Sequence, residues 1–158
     1  WGNHSSTEIQ ALALLGQLGR LQAIIDQRRA NAEYLTKRFS EVEGIITPPM
    51  DSDDIKSTHH LYLLRVDHEL IGQDVQVLKQ KLDARGVVQI PHFGPLYKFQ
   101  ICRDLGYDAD AIAATCPNTE MVFNHQFTHL PLYPLASEQL EYMADAVIDA
   151  VEEMKAGK

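Results

Sequence analysis

The sequence predicts an α/β chain: a short sheet with helices packed on it, entered through one long helix. Three observations carry this. Apolar residues recur at spacings of three and four along residues 7–42 and again along 137–154, which is helical periodicity. Three short apolar runs, 61–66, 87–90 and 127–130, are bounded by glycine or proline and read as strands. The order helix, strand, helix, strand, small helices, strand, helix fits one small sheet covered by helices. With 158 residues the chain is long enough to bury a core.

At the start of the chain, Thr7-x-x-Gln10 and Ser5-x-x-Glu8 both fit a capping box ahead of the first helix. Gly16 and Gly19 weaken that helix, so a break or bend is expected there. Beyond them Leu21, Ile25, Arg28, Ala32, Leu35, Phe39 and Val42 form one stripe, read as a core-facing helix side with Arg28 the only intruder. Gly44 closes the helix, and Pro48-Pro49 with Asp51-Ser52-Asp53-Asp54 reads as an exposed loop. Leu61 to Val66 reads as a strand buried on much of both faces. Asp74 to Arg85 is a helix carrying Val75, Leu78 and Leu82, stopped by Gly86. Val87-Val88-Gln89-Ile90 reads as a second strand ended by Pro91. Residues 95–116 read as irregular with short helices, and Phe127-Thr128-His129-Leu130 as a third strand. Ser137 is expected to cap the last helix, with Leu140, Met143, Val147, Val151 and Met154 on its apolar side. The opening helix is long for so small a sheet, so half of it is expected to pack on something else.

Composition narrows the function. The net charge is −8, which disfavours nucleic acid and anionic membrane surfaces as partners, because both demand a basic face. No apolar run reaches membrane-spanning length, and no signal peptide is visible at the start. Cys102 and Cys116 form no C-x-x-C pair and read as reduced thiols of a cytoplasmic protein.

Candidate chemistry is sparse. The start of the first helix offers unpaired N–H groups, and Asn3, Ser5 and Ser6 stand beside it, so a phosphate would suit that end. The serines read first as simple caps, whereas Asn3 lies too far upstream for capping and is the better ligand contact. His59-His60 point to opposite faces of a strand start and cannot share one metal. His125 and His129 lack the H-E-x-x-H pattern, so no metal site is expected. His92, at a strand end, is the one histidine read as a site residue. There is no G-x-G-x-x-G, G-x-x-x-x-G-K or G-x-S-x-G motif. None of the seven lysines, 37, 56, 79, 81, 98, 155 and 158, sits where the sequence shows it desolvated into a nucleophile.

Four stretches, in order, carry a family resemblance. G-N-H-S-S-T-E-I-Q-A-L-A-L-L-G-Q-L-G-R-L resembles the pattern G-x-N-x-R-x-[ST]-E-x-Q-A-A-x-x-x-x-Q-L of the DegT/DnrJ/StrS aminotransferases. A-R-G-V-V-Q-I-P-H-F-G-P-L-Y resembles that family's ARGI and HYxPLH segment. C-P-N-T-E-M with H-L-P-L-Y-P resembles its P-x-A-E and LPL-x-P element, and the helix from Ser137 resembles its last helix. The family consists of pyridoxal-phosphate enzymes of the aspartate-aminotransferase fold (fold type I), mostly acting on nucleotide-linked keto sugars or keto-inositols.

The resemblance covers only the C-terminal part of such an enzyme. It implies a loop and long connecting helix over 1–43, bridging to an absent large domain, and a small C-terminal α/β domain over 44–158 whose sheet is about three-stranded and mainly antiparallel. It implies that the Schiff-base Lys, the Asp facing the pyridine nitrogen and most phosphate ligands belong to the absent domain. This chain alone is then expected to be inactive. It implies a homodimer in which Asn3 reaches the cofactor phosphate of the partner subunit, with Ser5 where the family has Arg. The substitution removes a charge-assisted contact. It implies that His92, Phe93, Pro95 and Tyr97 line the substrate pocket, with Phe93 standing where Tyr is common. Amino transfer from a donor to a keto sugar or keto-cyclitol is the function implied. The alternatives are a truncated binding or assembly module that uses the opening helix as an interface, and a cofactor-binding regulatory homologue. Isolated, the chain is expected to self-associate through that helix.

Overall fold

The computed structural model describes residues 5–157. Its first helix, α1, runs Glu8–Phe39, and Thr7 is its cap: the Thr7 hydroxyl accepts from the Gln10 backbone N–H, and the Gln10 side chain accepts from the Thr7 N–H. Of the two capping boxes legible in the sequence, the Thr7 one forms. The helix continues unbroken through Gly16 and Gly19, contrary to the expected break. Its backbone ladder needs no side chain at those positions, and nothing lies within 4 Å of where a Cβ would stand. The helix also ends earlier than the stripe, at Phe39 rather than Val42. Gly44 then turns the chain at φ +94°, a conformation that L side chains rarely adopt, and a Cβ there would meet the Ile71 side chain at 2.7 Å.

The sheet has three antiparallel strands in the order β1 (Ile45–Ile46), β2 (Tyr62–Val66) and β3 (Phe127–Leu130). It is mixed with helices as the sequence predicts, but its membership differs. Ile45–Ile46 joins the sheet, while residues 87–90 do not form a strand. Only Ile90 makes a bridge, to His129. The cause is local: Val88 is 69% exposed, and Gln89 turns its amide to Asp83 and to the Lys79 carbonyl. Between the strands lie α2 (His68–Ile71), α3 (Val75–Ala84), a 3-10 turn (Leu96–Lys98), α4 (Gln100–Asp104), α5 (Ala109–Ala114), α6 (Pro117–Met121) and a π-helical turn (Val122–Gln126). The last helix, α7, spans Ser137–Ala156. Ala136, not Ser137, is its N-cap, and the Gln139 side chain closes that end by accepting from the Ala136 N–H.

Pairing across β2 and β3 sorts the side chains onto two faces. Tyr62, Leu64 and Val66, with Thr128 and Leu130 opposite them, face the core. Ala32, Leu35 and Phe39 of α1, Leu78 and Leu82 of α3, and Val147, Val151 and Met154 of α7 complete that core. Phe39 meets the edge of Tyr62, with ring centroids 5.9 Å apart, and the Tyr62 hydroxyl lies 2.9 Å from that of Thr36. Burial pushes the Tyr62 pKa up to about 12. The second face carries Leu63 and Arg65, paired with His129 and Phe127. It is only partly covered, and Leu63 remains exposed.

The first half of α1 stands apart. Every leucine and isoleucine from Ile9 to Leu21 is exposed, Ile9 by 80% and Leu12 by 68%. These side chains point in several directions around the helix, and a helix apolar on several sides ordinarily sits inside a larger body.

Candidate functional site

The residues from His92 to Tyr97 come directly after the Ile90 bridge, so the partly covered face of the sheet fixes where they start. The His92 ring lies 4.5 Å from His129 and meets Phe127 edge-on at 5.1 Å. Phe123 of the π turn lies 6.3 Å from Phe127. A π turn inserts one residue into a helix and re-aims the side chains beyond it. Here its last residue, Gln126, is buried and accepts from the Arg65 guanidinium at 2.5 and 3.2 Å, while its amide meets the His68 ring at 3.3 Å. The π turn is thereby clamped to β2.

Two cavities share His92, Phe123 and Phe127 as a dividing wall. One, of about 460 Å³, opens beneath Phe93, Gly94, Pro95 and Leu96 and is bounded below by Asn118, Thr119 and Val122. The other, of about 410 Å³, lies between α3 and residues 89–92. The structure therefore brings three of the four expected pocket residues, His92, Phe93 and Pro95, to one cavity. Phe93 is 82% exposed, so its ring hangs over an open mouth. Tyr97 is not part of that wall. Its hydroxyl donates to the Glu120 carboxylate, which also takes the Lys98 ammonium at 2.6 Å and the Asn124 amide at 3.2 Å. The bond to Glu120 pushes the Tyr97 pKa up to about 12, and Lys98 with Tyr97 holds Glu120 below the usual carboxylate range. This cluster ties the segment after the pocket to α6, so Tyr97 anchors the loop while its neighbours line the cavity.

Asn3 lies outside the described residues. Ser5 is exposed at the open end of α1. The described residues at that end do not by themselves enclose a pyridoxal phosphate. His59 is buried beside Asp51, with 3.8 Å between Nε2 and the carboxylate, while His60 is exposed. His125 stacks on His68 at 5.3 Å and lies 3.6 Å from Asp74. Among the described residues no group of three or more His, Cys, Asp or Glu side chains is placed to hold a metal ion. Cys102 and Cys116 are both free and half-buried.

Two side chains carry more than the sequence disclosed. His129 is 3% exposed, and neither ring nitrogen has a hydrogen-bond partner. Burial, then the charges that His92, His60 and Lys79 would present, lowers its pKa to about 4. Lys79 is partly buried: burial lowers its pKa, opposed by Asp74. The only sequence signal for either was a polar residue inside an apolar pattern.

The family model for DegT/DnrJ/EryC1/StrS aminotransferases matches residues 3–151. The spore coat polysaccharide biosynthesis protein SpsC of Bacillus subtilis is 32% identical over 156 residues, covering 95% of this chain and 37% of SpsC. The dTDP-4-dehydro-2,3,6-trideoxy-D-glucose 4-aminotransferase of Saccharopolyspora spinosa is 31% identical over 137 residues, covering 86% of this chain and 32% of that protein. Among solved structures, Spr1654 from Streptococcus pneumoniae in its PLP-form superposes with a TM-score of 0.79 at 23% identity, over 95% of this chain and 37% of that one. DesV of S. venezuelae, in complex with a ketimine intermediate, gives 0.75 at 24%, over 92% and 36%. The fold is that of the C-terminal portion of these structures, and the chain spans about a third of the length of the relatives it matches. By its match over nearly all of its length, the chain belongs to the DegT/DnrJ/EryC1/StrS aminotransferase family.

Proposed function

We propose that this chain is the small-domain part of a pyridoxal-phosphate-dependent aminotransferase that moves an amino group from a donor onto a keto sugar or keto-cyclitol. The observation that carries the reading is the family match over residues 3–151. The name of the Saccharopolyspora spinosa relative, which specifies a dTDP-linked dehydro sugar, favours a keto sugar as acceptor. In this reading residues 1–43 are the connecting element to a large domain, and 44–158 are the small domain. The exposed apolar first half of α1 supports the division, because those side chains are complete only against another body.

A bound cofactor would supply the electron sink, and in this reading a lysine of the large domain would hold it. The residues of this chain bind and orient. Asn3 and Ser5 would reach the cofactor phosphate of the partner subunit in a homodimer, beside the positive end of α1. His92, Phe93 and Pro95 would wall the substrate side, offering an imidazole and an apolar ring to a sugar or cyclitol face, with Tyr97 anchoring that wall to Glu120. Alone the chain would bind cofactor weakly and not turn over. We place the protein in the cytoplasm; among the described residues no helix is long and apolar enough to cross a membrane.

The test is a transamination assay on the protein isolated from its source cells, with nucleotide-linked keto sugars and keto-cyclitols as acceptors and glutamate or glutamine as donors. Amino-product formation that requires pyridoxal phosphate supports the reading. Full cofactor retention without turnover would favour the regulatory homologue. Replacing Asn3 with Ala should weaken cofactor retention, and unchanged affinity would count against its assigned place.

A further inference from the structure

The cavity on the α3 side of His92 is lined differently from its neighbour. Its volume of about 410 Å³ falls in the range of ligand-sized pockets, about 300–1,000 Å³. Gln76, Lys79, Gln80 and Asp83 of α3 form one wall, and Gln89 and His92 face them. The Lys79 ammonium forms no ion pair or hydrogen bond among the described residues, although the cavity wall half-buries it. Asp74 attracts it without pairing with it. The side-chain amides of Gln76 and Gln80 make no hydrogen bond among the described residues either. At the end of the cavity stands His129, buried and without a partner at either nitrogen. A desolvated cation without a counter-ion is costly, and so is a buried polar ring without partners. A guest that supplies a negative charge and oxygen atoms would relieve both.

The charge of the guest is limited by what else lines the space. Among the described residues Lys79 is the only lysine or arginine that lines it, and the Asp83 carboxylate, which accepts from Gln89 at 3.0 Å, stands on the same wall. A singly charged guest fits this balance better than a doubly charged phosphate. We propose that this cavity is a binding site for a small hydroxy- or oxo-monocarboxylate, its carboxylate on the Lys79 ammonium and its hydroxyl or carbonyl oxygen toward the His129 ring and the Gln76 and Gln80 amides. His92 is the wall shared with the neighbouring cavity. The site is built from this chain alone and does not rest on the transferase reading.

The test is a two-dimensional amide NMR titration of the full chain with sodium L-lactate at constant ionic strength, with sodium chloride and inorganic phosphate as separate titrants. Saturable shifts at Gln76, Lys79, Gln80 and His129 are expected with lactate. Lys79→Gln should weaken binding about tenfold or more, whereas Lys79→Arg, which keeps the charge, should stay within a few-fold. Lys56→Gln, on the exposed loop before β2, should change nothing. Shifts that grow linearly, scatter over many lysines or appear equally with chloride would overturn the site. Tighter binding of phosphate than of lactate would overturn the carboxylate assignment. A dispersed spectrum of each variant establishes that it is folded.

Discussion

His129→Leu is the substitution that most clearly exposes the energetics of the partly covered sheet face. Unfolded, the His129 imidazole titrates at its ordinary 6.5; folded, its pKa is lowered to about 4. Between these values the unfolded chain binds a proton that the folded chain refuses, so stability rises with pH and is lost as the solution is acidified. Each tenfold difference in proton affinity is worth about 1.4 kcal/mol, so acidifying from pH 7 to pH 4 removes up to about 3 kcal/mol through this one ring. The carboxylates with lowered pKa values, Asp51, Glu120 and Glu153, also lose stabilising interactions on acidification. They do so in the parent and the variant alike, so they cancel in the comparison. Urea unfolding of both proteins at pH 7 and pH 4 measures the difference. The variant should show a pH dependence smaller by about 2–3 kcal/mol. It should be no less stable than the parent at pH 7, because Leu leaves no unpartnered nitrogen where His129 leaves two. Equal pH dependence in parent and variant would mean that water or a neighbour satisfies the ring, and the linkage would fail.

Three further outcomes are expected from the same packing. Phe39→Ala should cost about 3–5 kcal/mol in chemical denaturation, because it empties a fully buried site against Tyr62. Glu120→Gln should bring the Tyr97 pKa down from about 12 toward the ordinary value near 10, read as an earlier step in the tyrosinate absorbance, with Tyr62 staying near 12. Leu12→Glu with Leu18→Glu should leave the unfolding free energy of the isolated chain within about 0.5 kcal/mol, since both side chains are exposed, while reducing self-association seen by sedimentation.

Most of the scaffold was legible in the sequence because its signals are local. The stripe Ala32, Leu35, Phe39 keeps the period of its helix and is buried where the pattern puts it, whereas the run 61–66, expected to be buried on much of both faces, alternates instead, with Tyr62, Leu64 and Val66 buried and Leu63 exposed. Residues 87–90 misled because β-branched residues mark a strand only when a partner strand and a covered face are available. Val88 has neither, and the Gln89 amide prefers Asp83. Two-residue β1 carries too short a pattern to read, and it exists because Gly44 turns the chain beside Ile71. Gly16 and Gly19 announced a break that a hydrogen-bonded helix does not need. Of the pocket, the H-F-G-P motif placed His92, Phe93 and Pro95 together, but the turning of Tyr97 to Glu120 depends on α6, a contact 23 residues along the chain, and had no local sign. Lys79 and His129 were invisible for the same reason. Each looked like an ordinary polar residue until the fold set α3 beside the edge of β3.

If this chain works as one domain of a larger cofactor-dependent transferase, the polypeptide that carries it must be far longer than 158 residues. The denatured intact mass of that polypeptide, isolated from its source cells, decides the matter. A mass more than twice 17.8 kDa is expected, since the matched relatives are nearly three times as long as this chain. A mass near 17.8 kDa would contradict the domain reading, because no domain would then remain to hold the cofactor.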